Sequence, residues 1–397
     1  MTPPPARPAD APQEPRREHP LLALGFRPFY LLASTFAAAS ILLWIAAYAG
    51  VLPTVYGRDP VWHAHEMVYG FTSAVIVGFL FTAGRNWSGQ PTPSGRTLLA
   101  LCLLWVAGRL LVFSPWGLAS AVVNGAFPMA AALLLGIALA RGDNRRNYFF
   151  VVLLLLLGLA ELAIGLAQAG VLLLPARASL QVALDVVLFI ISVMAGRVVP
   201  MFTNNGIPGA AAKRWPWVER LALGSVIALF ACDLLQAPVA LLVPVLVVAA
   251  GAHAVRLYGW QPWRTTRTPL VWILHVGYAW IVVHLALRAL AALQWAPGTL
   301  ATHALTIGVI GSVTIGMMTR TAKGHTGRPL VATRAEVVAY ALVEAAAVIR
   351  VFGGLVLPSH YVGTVVVSGL CFAAAFALYA ILYWPILTRP RLDGKPG

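Results

Sequence analysis

Residues 148–174 read YFFVVLLLLLGLAELAIGLAQAGVLLL, an apolar run in which Glu161 is the only charged side chain. A helix needs roughly 20 apolar residues to cross a hydrocarbon core of about 30 Å. The interior of a bilayer offers no water to the backbone, so a segment of this kind crosses it as a helix. The run therefore predicts a membrane-spanning helix.

Similar segments recur on both sides of this run, separated by short polar breaks. They predict an all-α, polytopic transmembrane helical bundle with about 12 membrane-spanning helices. Residues 19–388 are expected to form this single domain, 1–18 a disordered cytoplasmic tail and 389–397 a cytoplasmic C-terminal tail. The predicted spans are 29–50, 65–84, 97–113, 119–140, 148–174, 180–199, 218–235, 238–255, 270–293, 299–319, 335–356 and 360–387.

The formal net charge of +15 comes with only 10% charged and 60% hydrophobic residues. Nucleic-acid-binding proteins gather Lys and Arg into a patch, whereas here these residues lie between apolar runs. This distribution excludes a nucleic-acid partner and indicates contact with membrane lipid. With the N-terminus inside, the tails and even-numbered connections hold nearly all Lys and Arg. The opposite side holds only Arg58, Arg177 and Arg350. This asymmetry predicts that both termini are cytoplasmic.

Several polar side chains interrupt the predicted spans. An ionisable residue inside a membrane helix costs about 3 kcal/mol, so each one suggests either a function or a helix-locking pair. Arg109 and Arg288 are the expected partners for carboxylates, and His284 could pair with Arg288 four residues on. The three cysteines show no metal-ligand spacing and are expected to be packing residues. The intramembrane carboxylates are Glu66, Glu161, Asp185, Asp233 and Glu344.

Histidines near the outer ends of two spans suggest a metal site, because neutral imidazole is the commonest metal ligand. His63 and His65 are about 200° apart on a regular helix, so they could face one ion only if the helix begins after them. His63 shares a face with Glu66 and Met67, a donor set compatible with copper. His303 enters its span on the same side, so His63, His65, His303 and Met67 are the candidate metal ligands. Glu66 is the candidate catalytic residue.

His275 and His325 are predicted near the inner ends of spans nine and ten. The depth difference between His275 and His303 is about 15 Å, too large for two axial ligands of one iron. Two sites, or one site and a structural pair, are therefore expected. Arg320 and Arg328, just past the tenth span, could hold haem propionates or simply reflect the positive-inside bias. The small residues Gly308, Gly311 and Gly316 would admit either a helix or a flat macrocycle.

Several longer strings resemble the NnrS family of multi-spanning bacterial membrane proteins, in family order from about residue 19 to 330. The matches are GFRPFY at 25–30, WHAHEM at 62–67, GFL at 78–80, TA at 82–83, NWSG at 86–89, GRVVPMFT at 196–203, the strings around His275 and His303, and residues 320–330. Tyr30 stands where the family is expected to have Phe.

The resemblance implies an inner-membrane protein that contains haem b, with copper as a further candidate cofactor. Such a protein protects against nitrosative stress by interacting with nitric oxide or with the iron-nitrosyl damage it causes. Binding and reduction of nitric oxide, the latter as a haem oxidoreductase, are both compatible with it. Carried over by position, the candidate ligands of haem and copper are His63, His65, His275, His303 and His325.

Two other classes of protein fit the same pattern. A proton-coupled secondary transporter would use Glu161, Asp185 and Glu344 as a relay, although the sequence shows no internal repeat of the kind common in transporter folds. An assembly factor for a respiratory enzyme would tolerate loss of the histidines.

Overall fold

The computed structural model describes residues 19–52, 60–173 and 175–394, and within these ranges it contains twelve long helices and no strand. The predicted all-helical bundle is thus confirmed. The helices are α1 (Phe26–Tyr48), α2 (Pro60–Ser88), α3 (Gly95–Leu111), α4 (Gly117–Arg141), α5 (Phe149–Gln168), α6 (Ala176–Gly206), α7 (Pro216–Leu234), α8 (Val239–Gly259), α9 (Pro269–Ala292), α10 (Gly298–His325), α11 (Arg334–Val356) and α12 (Tyr361–Leu387).

Ten of these helices are long and apolar enough to cross a membrane. The other two are α3, which has only 17 residues, and α7, which contains Glu219, Arg220 and Asp233. Both lie between longer apolar neighbours, and the count agrees with the expectation of about 12 spans. The chain is therefore a multi-pass membrane protein.

Three helices contain a π-helical segment, at Glu66–Thr72 in α2, Ala304–Gly311 in α10 and Ile349–Gly353 in α11. A π segment inserts extra backbone into an α-helix and is found frequently at functional sites. The first begins directly after His65 and the second directly after His303. Local helix geometry therefore departs from regular at two of the histidines selected from the sequence.

Helices that are neighbours in sequence pack side by side, and α1 also packs against α12. The most enclosed of the spanning helices are α2, α6 and α10. We call the end of the bundle where α1 begins and α12 ends the termini side, and the other end the far side. Arg27 ties the termini side together, because its guanidinium donates to the carbonyls of Leu387 at 3.0 Å and Arg389 at 2.8 Å.

The two predicted tails differ in what the structure describes. Residues 1–18 lie outside the described ranges. Part of the C-terminal segment is described, and it packs back onto the bundle: the Leu392 amide donates to the Thr326 carbonyl at 3.1 Å. Residues 389–394 thus contact the loop that follows α10.

The cysteines behave as packing residues in the described ranges. Cys102 and Cys232 are buried, Cys371 is half-buried, and none of them forms a disulfide.

A buried ion pair locks α7 to α8 beside α6. The Arg256 guanidinium donates to both carboxylate oxygens of Glu219, at 2.8 and 2.6 Å, and to the Ser192 carbonyl at 2.8 Å. Gly196 leaves the space for this guanidinium, because a Cβ at that position would lie 1.8 Å from Arg256 Nη2. Helix α6 can pass the ion pair only with glycine there.

Replacing Gly196 with alanine should therefore destabilise the protein by about 1–3 kcal/mol, the usual cost of overpacking. Gly224→Ala on α7 is the matched control, because a Cβ there meets no atom within 4 Å. Alanine at an open helical position should be neutral or slightly stabilising. Thermal unfolding of the purified protein in detergent measures both changes, and equal melting temperatures for the two variants would contradict the packing argument.

Candidate functional site

An imidazole held between two carboxylates forms the centre of the site. His65 Nδ1 lies 2.7 Å from Glu66 Oε1, and His65 Nε2 lies 2.8 Å from Glu161 Oε1. His65 and Glu66 come from α2, whereas Glu161 comes from the middle of α5. All three side chains are buried, with exposed fractions of 5%, 1% and 1%. Glu161, the single charge in the apolar run 148–174, thus has a defined partner.

Arg109 on α3 completes this group. Its Nη1 donates to Glu66 Oε2 at 2.7 Å, and its Nη2 donates to Asn124 Oδ1 on α4. Each of the two imidazole contacts needs a proton between its atoms. An imidazolium, two carboxylates and one guanidinium therefore leave the group of His65, Glu66, Glu161 and Arg109 without net charge, as burial in hydrocarbon demands.

The π segment of α2 makes room for this group. A Cβ at Gly70 would lie 2.3 Å from the Phe36 ring and 2.9 Å from Arg109 Nη1. The Gly70 carbonyl accepts a 3.0 Å hydrogen bond from Trp105 Nε1. Glycine in an irregular helical turn therefore lets the guanidinium and two aromatic rings approach the backbone closely.

A cavity of about 280 Å³ adjoins His65 and Glu161. Ser114, Gly117 and Gln168 line it, and they belong to the far-side ends of α3, α4 and α5. Two of its lining groups, Glu161 Oε2 and Trp62 Nε1, are buried without a hydrogen-bond partner among the described residues. A polar cavity of this size, with an unsatisfied acceptor and an unsatisfied donor, suits ordered water.

His63 and His303 lie together on the far side, apart from that cavity. His63 stacks on Trp44 of α1, with ring centroids 4.7 Å apart and an interplanar angle of 11°. His303 Nδ1 lies 2.7 Å from the Thr299 carbonyl oxygen, so it carries the proton and donates. The two imidazoles are close enough to interact electrostatically with each other and with Arg350.

Helix α2 begins at Pro60, before both of its histidines. The condition for His63 and His65 to face one ion is therefore not met: His63 faces α1 and His65 faces α5. Met67 lies in the π segment and is half-buried. The described residues contain no group of three or more His, Cys, Asp or Glu side chains placed to hold a metal ion.

The remaining predicted cofactor residues lie on the termini side. His275 Nδ1 donates to the Val271 carbonyl at 3.0 Å, and its Nε2 lies 3.3 Å from Thr203 Oγ1. His325 packs against the Phe26 ring with centroids 5.7 Å apart. The structure thus separates His275 and His325 from His63 and His303, as the depth argument predicted.

The two arginines predicted to hold haem propionates have protein partners. Arg320 lies 3.7 Å above the Phe202 ring, and Arg328 donates to the Thr326 carbonyl at 3.4 Å. Burial lowers the pKa of the Arg328 guanidinium from its ordinary value.

Glycines along α10 serve helix packing. A Cβ at Gly308 would meet the Trp280 side chain at 2.5 Å, and one at Gly316 would meet Ile273 at 2.8 Å. Gly311 faces Val343 and Phe372 in the same way. Side chains of neighbouring helices therefore fill the spaces that could have admitted a macrocycle.

The other intramembrane carboxylates have partners of their own. Arg288 contacts Asp233 and lies 3.5 Å from Asp185, which matches the expected helix-locking pair. Glu344 accepts from Trp280 Nε1 at 2.9 Å and from Ser312 Oγ at 2.7 Å. The three members of the predicted relay, Glu161, Asp185 and Glu344, thus lie in separate hydrogen-bonded groups.

The pairing predicted for His284 was wrong. Its Nδ1 donates to the Ala301 carbonyl at 2.8 Å, and no hydrogen bond joins it to the Arg288 side chain in the described ranges. Donation from Nδ1 leaves Nε2 as the acceptor, and this nitrogen is buried without a hydrogen-bond partner among the described residues.

The sequence did not single out Asn124, Trp44 or Arg350 as site residues. An asparagine inside an apolar span was the signal for Asn124, because a carboxamide in hydrocarbon needs a partner. Trp44 gave no such signal, since a tryptophan near the end of a span is ordinary.

Charge balance in the group around His65 leads to a double-mutant prediction. Arg109→Gln leaves one buried negative charge unpaired and should cost about 3–5 kcal/mol. Glu66→Gln leaves a positive charge unpaired and should also destabilise. The double variant removes one charge of each sign, so it should be more stable than the sum of the single effects indicates.

Unfolding of the purified variants in detergent measures this coupling. Arg141→Gln, which removes an exposed arginine from the end of α4, is the control for loss of charge alone. Strictly additive effects of the two substitutions would show that the four groups do not act as one neutral unit.

The family model described as NnrS protein matches residues 20–391, nearly the whole chain. No curated protein matches the chain. The match includes the helices that hold the group around His65 and the pair of histidines on the far side, and the chain belongs to the NnrS family.

Proposed function

We propose that this protein binds haem b through His303 and uses it to bind nitric oxide, which protects the cell against nitrosative stress. Membership of the NnrS family makes the chain a nitric-oxide-related membrane protein. The proposal places it in the bacterial inner membrane with the termini side in the cytoplasm, because that side holds most of the arginines and lysines.

The state of His303 is the observation that supports this proposal. Metal-ligating histidines almost always donate their other ring N–H to a carbonyl or carboxylate, which fixes the tautomer. His303 donates from Nδ1 to the Thr299 carbonyl at 2.7 Å, and no described residue hydrogen-bonds to its Nε2. The donor chemistry at His303 therefore fits a ligand of haem iron, and haem, when bound, would supply the iron that binds nitric oxide.

Neighbouring residues have defined tasks in this proposal. Trp44 fixes the ring of His63 by stacking, which keeps an imidazole beside His303. Arg350 supplies a positive charge at the same end of the bundle, where a propionate could pair with it. His275 has the same tautomer as His303, but its Nε2 already has Thr203 within hydrogen-bonding distance.

Copper fits these residues less well. Both ring nitrogens of His65 contact carboxylates, so this histidine offers no lone pair to a metal. Glu66, the candidate catalytic residue, is likewise engaged by Arg109 and His65. Copper binding at His63, His303 and Met67 stays a prediction, and the proposed function does not depend on it.

Haem binding can be tested with the full-length protein purified in mild detergent and supplied with haem. His303→Ala should lose most of the Soret absorbance and the spectral change on addition of nitric oxide. His360→Ala, at an exposed position on the same side, is the matched control and should keep both. His65→Ala should keep the Soret band and lose stability. A wild-type protein without a Soret band, or a His303→Ala variant with full haem content, would overturn the assignment.

One observation favours a second function, proton-coupled transport. Glu161 lies at a polar cavity on the far side and has an unsatisfied carboxylate oxygen. In proteoliposomes with an imposed pH gradient and an internal pH-sensitive dye, a carrier of this kind should dissipate the gradient faster than its Glu161→Gln variant. Glu344→Gln, in a separate group, is the control and should retain the wild-type rate. A wild-type rate equal to that of protein-free vesicles would exclude this function.

A further inference from the structure

A second cavity, of about 380 Å³, lies on the termini side and is lined by three arginines. Arg146 comes from the connection between α4 and α5, Arg197 from α6, and Arg214 from the connection between α6 and α7. Trp87, Asn144 and Asn147 complete the lining. Its volume lies within the range of ordinary ligand pockets.

Arg197 is held in place before any ligand arrives. Its Nη1 donates to Asn147 Oδ1 at 2.7 Å, and its guanidinium carbon lies between 5.5 and 5.8 Å from the ring centroids of Trp87, Phe149 and Phe150. The Asn147 side chain is itself positioned by donating to Asn144 Oδ1 at 2.8 Å. A fixed guanidinium loses little conformational entropy when it binds an anion.

Positive charge at this cavity exceeds the negative charge near it. Two carboxylates occur close to the lining residues in the described ranges, and both have arginine partners outside the cavity: Arg256 takes both oxygens of Glu219, and Asp143 pairs with Arg145 at 3.1 Å. Arg214 shares the Glu219 carboxylate at 3.2 Å, whereas no hydrogen bond or ion pair to a carboxylate is present for Arg197 or Arg146 in the described ranges. Arg197 is also close enough to Arg146 and Arg214 to be repelled by both. A ligand with negative charge would relieve this repulsion.

Exposed aromatic rings adjoin the segments that line the cavity. Tyr148 at the start of α5 is 39% exposed, and Trp217 at the start of α7 is 57% exposed. Tyrosine and tryptophan are enriched where a membrane protein meets lipid headgroups. Basic pockets between helices at this level are suited to anionic headgroups.

The geometry points to a binding site for a phosphate group at Arg146, Arg197 and Arg214, with the headgroup of an anionic phospholipid as its source. This site is independent of the haem proposal, because it lies on the other side of the bundle from His303. Free inorganic phosphate presents the same chemistry, and the test separates the two sources.

The experiment measures thermal unfolding of the full-length protein in detergent. Phosphatidylglycerol is compared with phosphatidylcholine, and inorganic phosphate is compared with chloride at equal ionic strength. Phosphatidylglycerol should raise the melting temperature more than phosphatidylcholine. Arg197→Gln and Arg146→Gln should each weaken the apparent affinity for phosphatidylglycerol about fivefold, the effect expected for one arginine at a membrane surface.

Arg267→Gln is the matched control, because it removes an exposed arginine of the termini side that does not line the cavity, and it should leave the affinity unchanged. The Arg146 side chain is exposed, so Arg146→Gln should fold normally. This variant therefore tests the site even if Arg197→Gln fails to fold. Stabilisation by inorganic phosphate that both variants abolish would assign the site to a free anion. Equal effects of the two lipids without any effect of phosphate, or equal losses in Arg146→Gln and Arg267→Gln, would overturn the proposal.

Discussion

Pairing of buried charge is the constraint on which this structure depends. In hydrocarbon an unpaired ion costs several kcal/mol, so each intramembrane carboxylate has to find a donor from a neighbouring helix. The group of His65, Glu66, Glu161 and Arg109 meets this demand by joining α2, α3 and α5. The same requirement fixes α9 through Arg288 and α7 through Glu219. Helices whose apolar surfaces could slide against one another are thereby held in one register.

The two sides of the bundle differ in chemistry. The far side holds the paired histidines His63 and His303 and a polar cavity beside Glu161. The termini side holds an arginine-lined cavity and the engaged imidazole of His275. The far side therefore carries imidazoles and an unsatisfied carboxylate oxygen, whereas the termini side carries an excess of guanidinium groups.

Particular residues show which features of the candidate site could be predicted from the sequence. Histidines cluster near the ends of two spans, and π segments follow His65 and His303. His65 was predicted to be a metal ligand, but in the structure both of its ring nitrogens contact carboxylates. The residues next to His65 in the sequence give no sign that Glu161, almost a hundred residues later, reaches the same ring. Likewise, the small residues of α10 could have faced a cofactor, and only the positions of Trp280 and Ile273 showed that helices fill the space.

The sequence by itself determined the number and approximate length of the helices, the uneven distribution of arginine between the two sides, and the family. These properties follow from runs of apolar residues and from local strings, which need no knowledge of neighbours. Only the tertiary structure decided which polar groups meet. The rotation of each helix about its axis depends on packing against other helices, and a spacing of residues along one helix does not contain that information.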